Sequence, residues 1–145
     1  MSTTNVTCQK CNAKNRLPSE RLEDGPKCGK CKAPVFVGKP VVLNSSNVAA
    51  VINHNDIPVL VDCWAPWCGP CKGFAPVFEQ AAQELEPRLR LAKLDTEANE
   101  QIGQRWKIRS IPTLILFKNG KEIARQSGAM AMPQLRQWLS GQDLS

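Results

Sequence analysis

The sequence predicts an α/β fold, a mixed central sheet covered by helices on both faces, preceded by a small segment that folds around a metal. Three observations carry this. From Pro40 onward, short apolar runs alternate with helical patterns in the order β-α-β-α-β-α-β-β-α, which argues parallel pairing closed by one hairpin. Residues 1–37 are polar and offer Leu17, Leu22, Val35, Phe36 and little else to a core, so they need a staple. The same segment holds four cysteines as two Cys-x-x-Cys pairs.

The elements follow in order. "VVL" from Val41 is a short strand, and "SSNVAAVINHN" opens on a serine N-cap signal and continues as a helix. "IPVLVDCWA" is an apolar, β-branched run suited to a strand buried on both faces. "CGPCKGFAPVFEQAAQELE" places Phe74, Val77, Phe78, Ala81, Ala82 and Leu85 at helical spacing, with a kink expected at Pro76. "RLRLAKLDT" is a strand, "EANEQIGQRW" a helix and "TLILFK" a strand. Asn119-Gly120 then forms a tight turn into "KEIARQS", and "MPQLRQWLS" is the last helix. Gly38 and Pro40 punctuate the chain, giving a four-cysteine domain at 1–37, a linker at 38–41 and an α/β domain at 42–145.

Charge and composition bound the setting. The chain has 145 residues and a net charge of +6. Residues 1–39 carry eight Lys/Arg against three Asp/Glu, whereas the remainder is nearly balanced. Four thiolates holding a divalent ion carry −2, so much of the local basicity answers the metal site before nucleic acid is invoked. The N-terminus lacks an apolar stretch after a basic start, and no apolar run is long enough to span a bilayer. A cytoplasmic monomer with no membrane partner is expected. In a reducing compartment, repeated cysteine spacings bind metal or do redox chemistry more often than they form structural disulfides.

Cys8-x2-Cys11-x16-Cys28-x2-Cys31 matches a tetrahedral four-thiolate zinc site of the ribbon type, in which each pair makes a knuckle whose N–H groups point at sulfur. One Zn2+ per chain is expected, although iron fits the same cage by spacing alone. Gly29 suits the second knuckle's tight turn. Metal would supply the folding free energy the segment lacks. Because the ribbon has almost no core, loss of zinc is expected to unfold residues 1–37 while the α/β domain stays folded and active. Thiolates are also the form that oxidants attack, so the ribbon is a candidate oxidant sensor.

The third pair, in "APWCGPCK", differs in context. It follows a buried strand and opens a helix, so Cys68 lies where unpaired N–H groups favour an anion, and Cys71 lies one turn in. The spacing permits a reversible disulfide. Cys68 is then the attacking thiolate and Cys71 the resolving thiol. Gly69-Pro70 fixes the turn between them.

"VDCWAPWCGPCKGFAP", with "AKLDTEAN", "IRSIPTLILFKNG" and Gly128-Ala129, closely resembles thioredoxin, and the resemblance covers residues 40–145 almost entirely. The added cysteines extend it to the zinc-bearing bacterial branch of that family, the thioredoxin 2 type. What the resemblance implies is the thioredoxin fold and a protein-disulfide reductase of intracellular clients, serving electron transfer and oxidative stress. Such a protein is recharged by thioredoxin reductase, holds no organic cofactor and uses NADPH only through that reductase. By resemblance Asp62 takes the proton of Cys71, helped by Lys93. Trp67, Gly69, Pro70, Ile111, a cis Pro112 and Gly128 form the substrate surface.

Other positions read as structural. Trp64, Trp106 and Trp138 are expected to pack. Cys63 faces away from Asp62 as a small buried hydrophobe. His54 sits in a polar turn. The alternative function is a zinc-ribbon module binding protein or nucleic acid, with the redox domain as passenger. A scarcity of aromatics for base stacking argues against nucleic acid.

Overall fold

The computed structural model describes residues 2–144. The N-terminal segment is an antiparallel pair, β1 (Thr3–Thr7) and β2 (Lys14–Pro18), then a single 3-10 turn at Ser19–Arg21 and an isolated bridge between Lys27 and Pro34. The rest contains β3 (Val41–Val42), α1 (Val48–Asn53), β4 (Val59–Trp64), α2 (Gly69–Leu85), β5 (Arg90–Asp95), α3 (Glu100–Arg105), β6 (Thr113–Lys118), β7 (Lys121–Ser127) and α4 (Met132–Ser140). Its sheet runs β3-β5-β4-β6-β7, with β4 parallel to β5 and antiparallel to β6. Every expected element is present in the expected order.

Central position explains the apolar run of β4. Val59, Val61 and Cys63 pack with Val48, Val51, Ile52 and Ile102 of α1 and α3, while Leu60 packs with Phe74, Phe78, Leu135 and Leu139 of α2 and α4. Alternation places Asp62 on the α2 face. Cys63 is fully buried on the opposite face, as expected, and burial pushes its thiol up to about 12.

Three local readings are refined. Asn47, not a serine, occupies the N-cap of α1, and the Asn44 carboxamide oxygen accepts the Ser46 and Asn47 N–H groups. α2 continues through Pro76 as one helix. The left-handed position of each knuckle falls on Asn12 (φ 65) and Lys32 (φ 67), one residue past each cysteine pair, and not on Gly29. The Asn119-Gly120 turn is as expected, with positive φ at both residues. A Cβ at Gly120 would come within 2.7 Å of Asn53 Oδ1.

The ribbon is not an independent body. Its small core of Val6, Cys8, Cys28 and Val35 is completed by Ile57 from the α/β domain. Asn55, nearly fully buried, takes the Thr7 N–H at 2.9 Å on its side-chain oxygen and donates to Thr7 Oγ1 and the Val51 carbonyl. Asp56 accepts the Asn5 N–H through its carboxylate and donates its own N–H to the Asn5 carbonyl. Arg90, at the start of β5 and fully buried, spans the junction. It pairs with Glu86 at 3.0 Å, donates to the carbonyls of Thr7 and Val35, and stacks over Phe36. Glu86 in turn accepts the Gly38 N–H. These contacts weigh against the expectation that the ribbon unfolds alone, because its departure would leave buried Arg90 with Glu86 but without the Thr7 and Val35 carbonyls.

Candidate functional site

The dithiol sits where β4 hands the chain to α2. Cys68 is the N-cap residue, in extended conformation (φ −87°, ψ 111°), and Pro70 occupies the first turn, where its missing N–H costs nothing. Cys68 and Cys71 are joined as a disulfide with Cα atoms 5.2 Å apart. Cys68 Sγ accepts the Cys71 backbone N–H at 3.2 Å. Once the pair is reduced, that contact and the helix N-terminus would favour a thiolate on Cys68 over one on Cys71. Both are nearly buried, Cys68 at 5% and Cys71 at 2% exposure, in a small cluster with Ala65, Trp64 and Ile111. Trp67 beside them is 69% exposed.

Asp62 lies in the strand beneath. Its two carboxylate oxygens are buried and have no hydrogen-bond partner among the described residues. Burial raises its pKa to about 7, and the charge of Lys93 only partly opposes the rise. Lys93 is the register partner of Asp62 on β5, yet its ammonium lies over the Trp64 ring, 4.7 Å from the centroid, rather than on the carboxylate. Trp64 is thus more than packing, whereas Trp106 stacks on Phe117 and Trp138 packs on the α2–α4 core.

Across from the dithiol, the Ile111-Pro112 peptide is cis and the Ile111 carbonyl oxygen lies 3.8 Å from Cys68 Sγ. Among the described residues the Ile111 N–H forms no hydrogen bond. Gly128 takes φ 100°, a conformation only glycine adopts readily, and donates its N–H to the Pro112 carbonyl at 2.8 Å. The structure thus gathers Cys68, Cys71, Trp67, Ile111, Pro112 and Gly128 at one end of the sheet. A groove of about 310 Å³ opens between Trp67 and Ile111, walled also by Thr96, Glu100, Arg109 and Ser110. Those last four were not singled out from the sequence, and only their nearness to Pro112 or to "KLDT" marks them.

Cys8, Cys11, Cys28 and Cys31 meet elsewhere. Their sulfurs all lie within 4.8 Å of one another, with Cys8–Cys31 and Cys11–Cys28 at 3.6 Å. A tetrahedron with Zn–S bonds of about 2.3 Å has sulfur edges of about 3.8 Å, so the donor set fits zinc. The two knuckles are near copies: Lys10 and Lys30 N–H groups donate to Cys8 and Cys28 Sγ at 3.4 Å. Asn15 adds a third kind of contact, donating to Cys28 Sγ while accepting the Gly29 N–H. The Cys28 thiol is pulled down to about 6, first by the Cys31 backbone and then by Asn15. Four sulfurs within reach of one ion, with N–H donors around them, are a metal cage.

A Cys-x-x-Cys disulfide at a helix N-terminus suits two-electron exchange with other disulfides, the chemistry of a thiol-disulfide oxidoreductase. Comparison with known proteins narrows this class. The family described as Thioredoxin matches residues 39–141, and the one described as Thioredoxin 2, N-terminal, a zinc ribbon, matches residues 7–33. The chain belongs to the thioredoxin family. It is similar to Thioredoxin C-3 of Corynebacterium nephridii, 45% identical over 137 residues and 94% of each chain. The thioredoxin of Haemophilus influenzae is 40% identical over 98 residues, covering 68% of this chain and 92% of its own. A solved structure, the Malassezia sympodialis thioredoxin Mala s 13, superposes with a TM-score of 0.63 at 34% identity, covering 68% of this chain and 86% of its own.

Proposed function

We propose that this protein-disulfide reductase works by a fixed division of labour between its thiols, with the ribbon as a structural zinc site of one ion per chain. Cys68 thiolate attacks one sulfur of a client disulfide, forming a Cys68–client bond while the client's other sulfur leaves as thiolate and takes a proton from solvent. Cys71 gives its proton to Asp62 and attacks Cys68 sulfur. That closes Cys68–Cys71 and releases the client's second thiolate, so two electrons pass to the client. Thioredoxin reductase then supplies two new electrons, drawn from NADPH, that reopen Cys68–Cys71. Lys93 acts on Asp62 through its field. Trp67, Ile111 and Pro112 hold the client's chain across Cys68, the free Ile111 N–H pairing with extended backbone, and Gly69, Pro70 and Gly128 keep the rim open.

The observation that carries this reading is the asymmetry of the site. One sulfur takes an N–H at a helix start, while the carboxylate below is buried, without a hydrogen-bond partner among the described residues, and raised to about 7. No helix among the described residues is long and apolar enough to cross a membrane. A cytoplasmic monomer is our proposal for the working form. The test is insulin-type disulfide reduction with thioredoxin reductase and NADPH. The wild type turns over, and Cys68→Ser and Cys71→Ser do not. Turnover by Cys68→Ser would remove the assignment.

A further inference from the structure

We propose that a groove along the β3 edge, running from the first knuckle of the ribbon to the flank of the active site, docks an acidic, partly apolar extended segment of the client protein. This rests on the reductase reading above and gives it a substrate class.

Two adjoining clefts, of about 410 and 720 Å³, share Lys39, Pro40, Val42 and Asn44 as walls. The first begins against Gln9, Lys10 and Asn12 of the ribbon, and the second ends against Trp64, Lys93 and Asp95. Val42 is in register with Lys93, and Lys93 with Asp62. Val42 therefore stands two strand spacings, about 10 Å, from the central strand that carries the buried carboxylate. Chain flanking a disulfide seated on Cys68 reaches that distance in a few residues.

The surface is apolar where a folded chain has no internal use for it. Four large apolar side chains are exposed among the described residues: Val37, Val42, Trp67 and Ile123. Val42, at 69%, and Val37, at 44%, both line this groove, and Trp67 stands beside the nucleophile. Grouped exposure of this kind marks a contact surface, whereas single exposed apolar residues do not.

Charge selects the partner. Lys10 and Lys39 wall the ribbon half, which has no carboxylate among its lining residues. Neither lysine forms an ion pair among the described residues. The ribbon's acids, Glu20, Glu23 and Asp24, lie at the 3-10 turn and just after it. Near the active site Glu79 and Asp95 offset Lys93, so complementarity asks for acid at the ribbon end of the client segment.

The edge backbone is closed to strand addition. Pro40 offers no N–H, and the Val42 carbonyl already accepts Asn47 Nδ2 at 2.9 Å. The client therefore binds through side chains. Single-stranded nucleic acid fits poorly, because the one aromatic wall, Trp64, lies beneath the Lys93 ammonium. A second copy of the chain would bring lysine against lysine.

The test uses the zinc-loaded full chain and two disulfide-bonded client peptides identical except for an acidic or a neutral polar stretch beside the cysteine. The wild type shows a lower KM for the acidic client at low salt, and added salt erases the preference. Lys10→Glu with Lys39→Glu raises the acidic client's KM about fivefold, leaving kcat and the neutral client unchanged. Val42→Ser raises KM for both clients without moving kcat. Circular dichroism and zinc content verify that each variant folds. Equal wild-type KM values for the two clients, or a charge reversal that moves both alike, overturns the proposal. So does a preference that appears only at protein concentrations where the chain self-associates, or one competed away by an oligonucleotide. Failure to turn over either client would instead sink the reductase reading itself.

Discussion

At the residue scale, resolution of the mixed disulfide turns on Asp62. Its folded pKa of about 7 lies above the 3.8 of a solvated aspartate, so between these values the folded state binds more protons than the unfolded one. Stability therefore falls as pH rises from about 4 through 7, by roughly 4 kcal/mol in all, and stays low above it. Asp62→Asn removes the buried charge. It should match wild type in urea unfolding at pH 4 and exceed it by a few kcal/mol at pH 8, while slowing the resolution of the mixed disulfide several-fold. Equal unfolding midpoints at pH 8 would mean that burial does not raise the Asp62 pKa. Asp62 was legible because one acid interrupts an apolar β-branched run. Arg90 was not. An arginine at a strand start reads as solvent-facing, and its carbonyl partners, Thr7 and Val35, lie 83 and 55 residues away.

At the scale of elements, the ribbon and the start of β5 form one unit through Arg90 and Glu86. Arg90→Met leaves Glu86 alone in a site where its side chain is 3% exposed, and burial already holds that carboxyl above its usual range. The loss should be about 3–5 kcal/mol in the zinc-loaded chain. Arg90→Met with Glu86→Gln should recover part of it. A loss under 1 kcal/mol would show the junction to be solvated. The order of elements was legible from period and punctuation, since "IPVLVD" and "TLILFK" leave little choice but buried strands and Asn119-Gly120 fixes the hairpin. The docking of the ribbon was hidden, because Val6, Asn55 and Ile57 gain their roles only when distant segments meet.

At the scale of the molecule, that junction makes zinc a stabiliser of the redox domain as well as of the ribbon. All four tryptophans lie beyond residue 40, so their fluorescence reports the thioredoxin part alone. Chelation should lower the tryptophan-detected urea midpoint of wild type, and lower it much less in Arg90→Met, where the tie is already cut. An unchanged wild-type midpoint would mean two independent domains. Reductase turnover at 25 °C should survive chelation in reduced degree, because the dithiol lies at the opposite end of β4 from the ribbon contacts. The family, the fold and the two cysteine classes were all legible from local context, a polar segment around two pairs and a strand-to-helix turn around the third.

The central claim is that one spacing, used three times, serves electrons once and metal twice. Native mass spectrometry with cysteine mapping, on chain poised reduced and then oxidised in a glutathione buffer, tests it most directly. The account predicts one zinc in both forms, a loss of two hydrogens on oxidation, and a disulfide confined to Cys68–Cys71. Zinc lost together with a disulfide among Cys8, Cys11, Cys28 and Cys31, while Cys68 and Cys71 stay reduced, would contradict it.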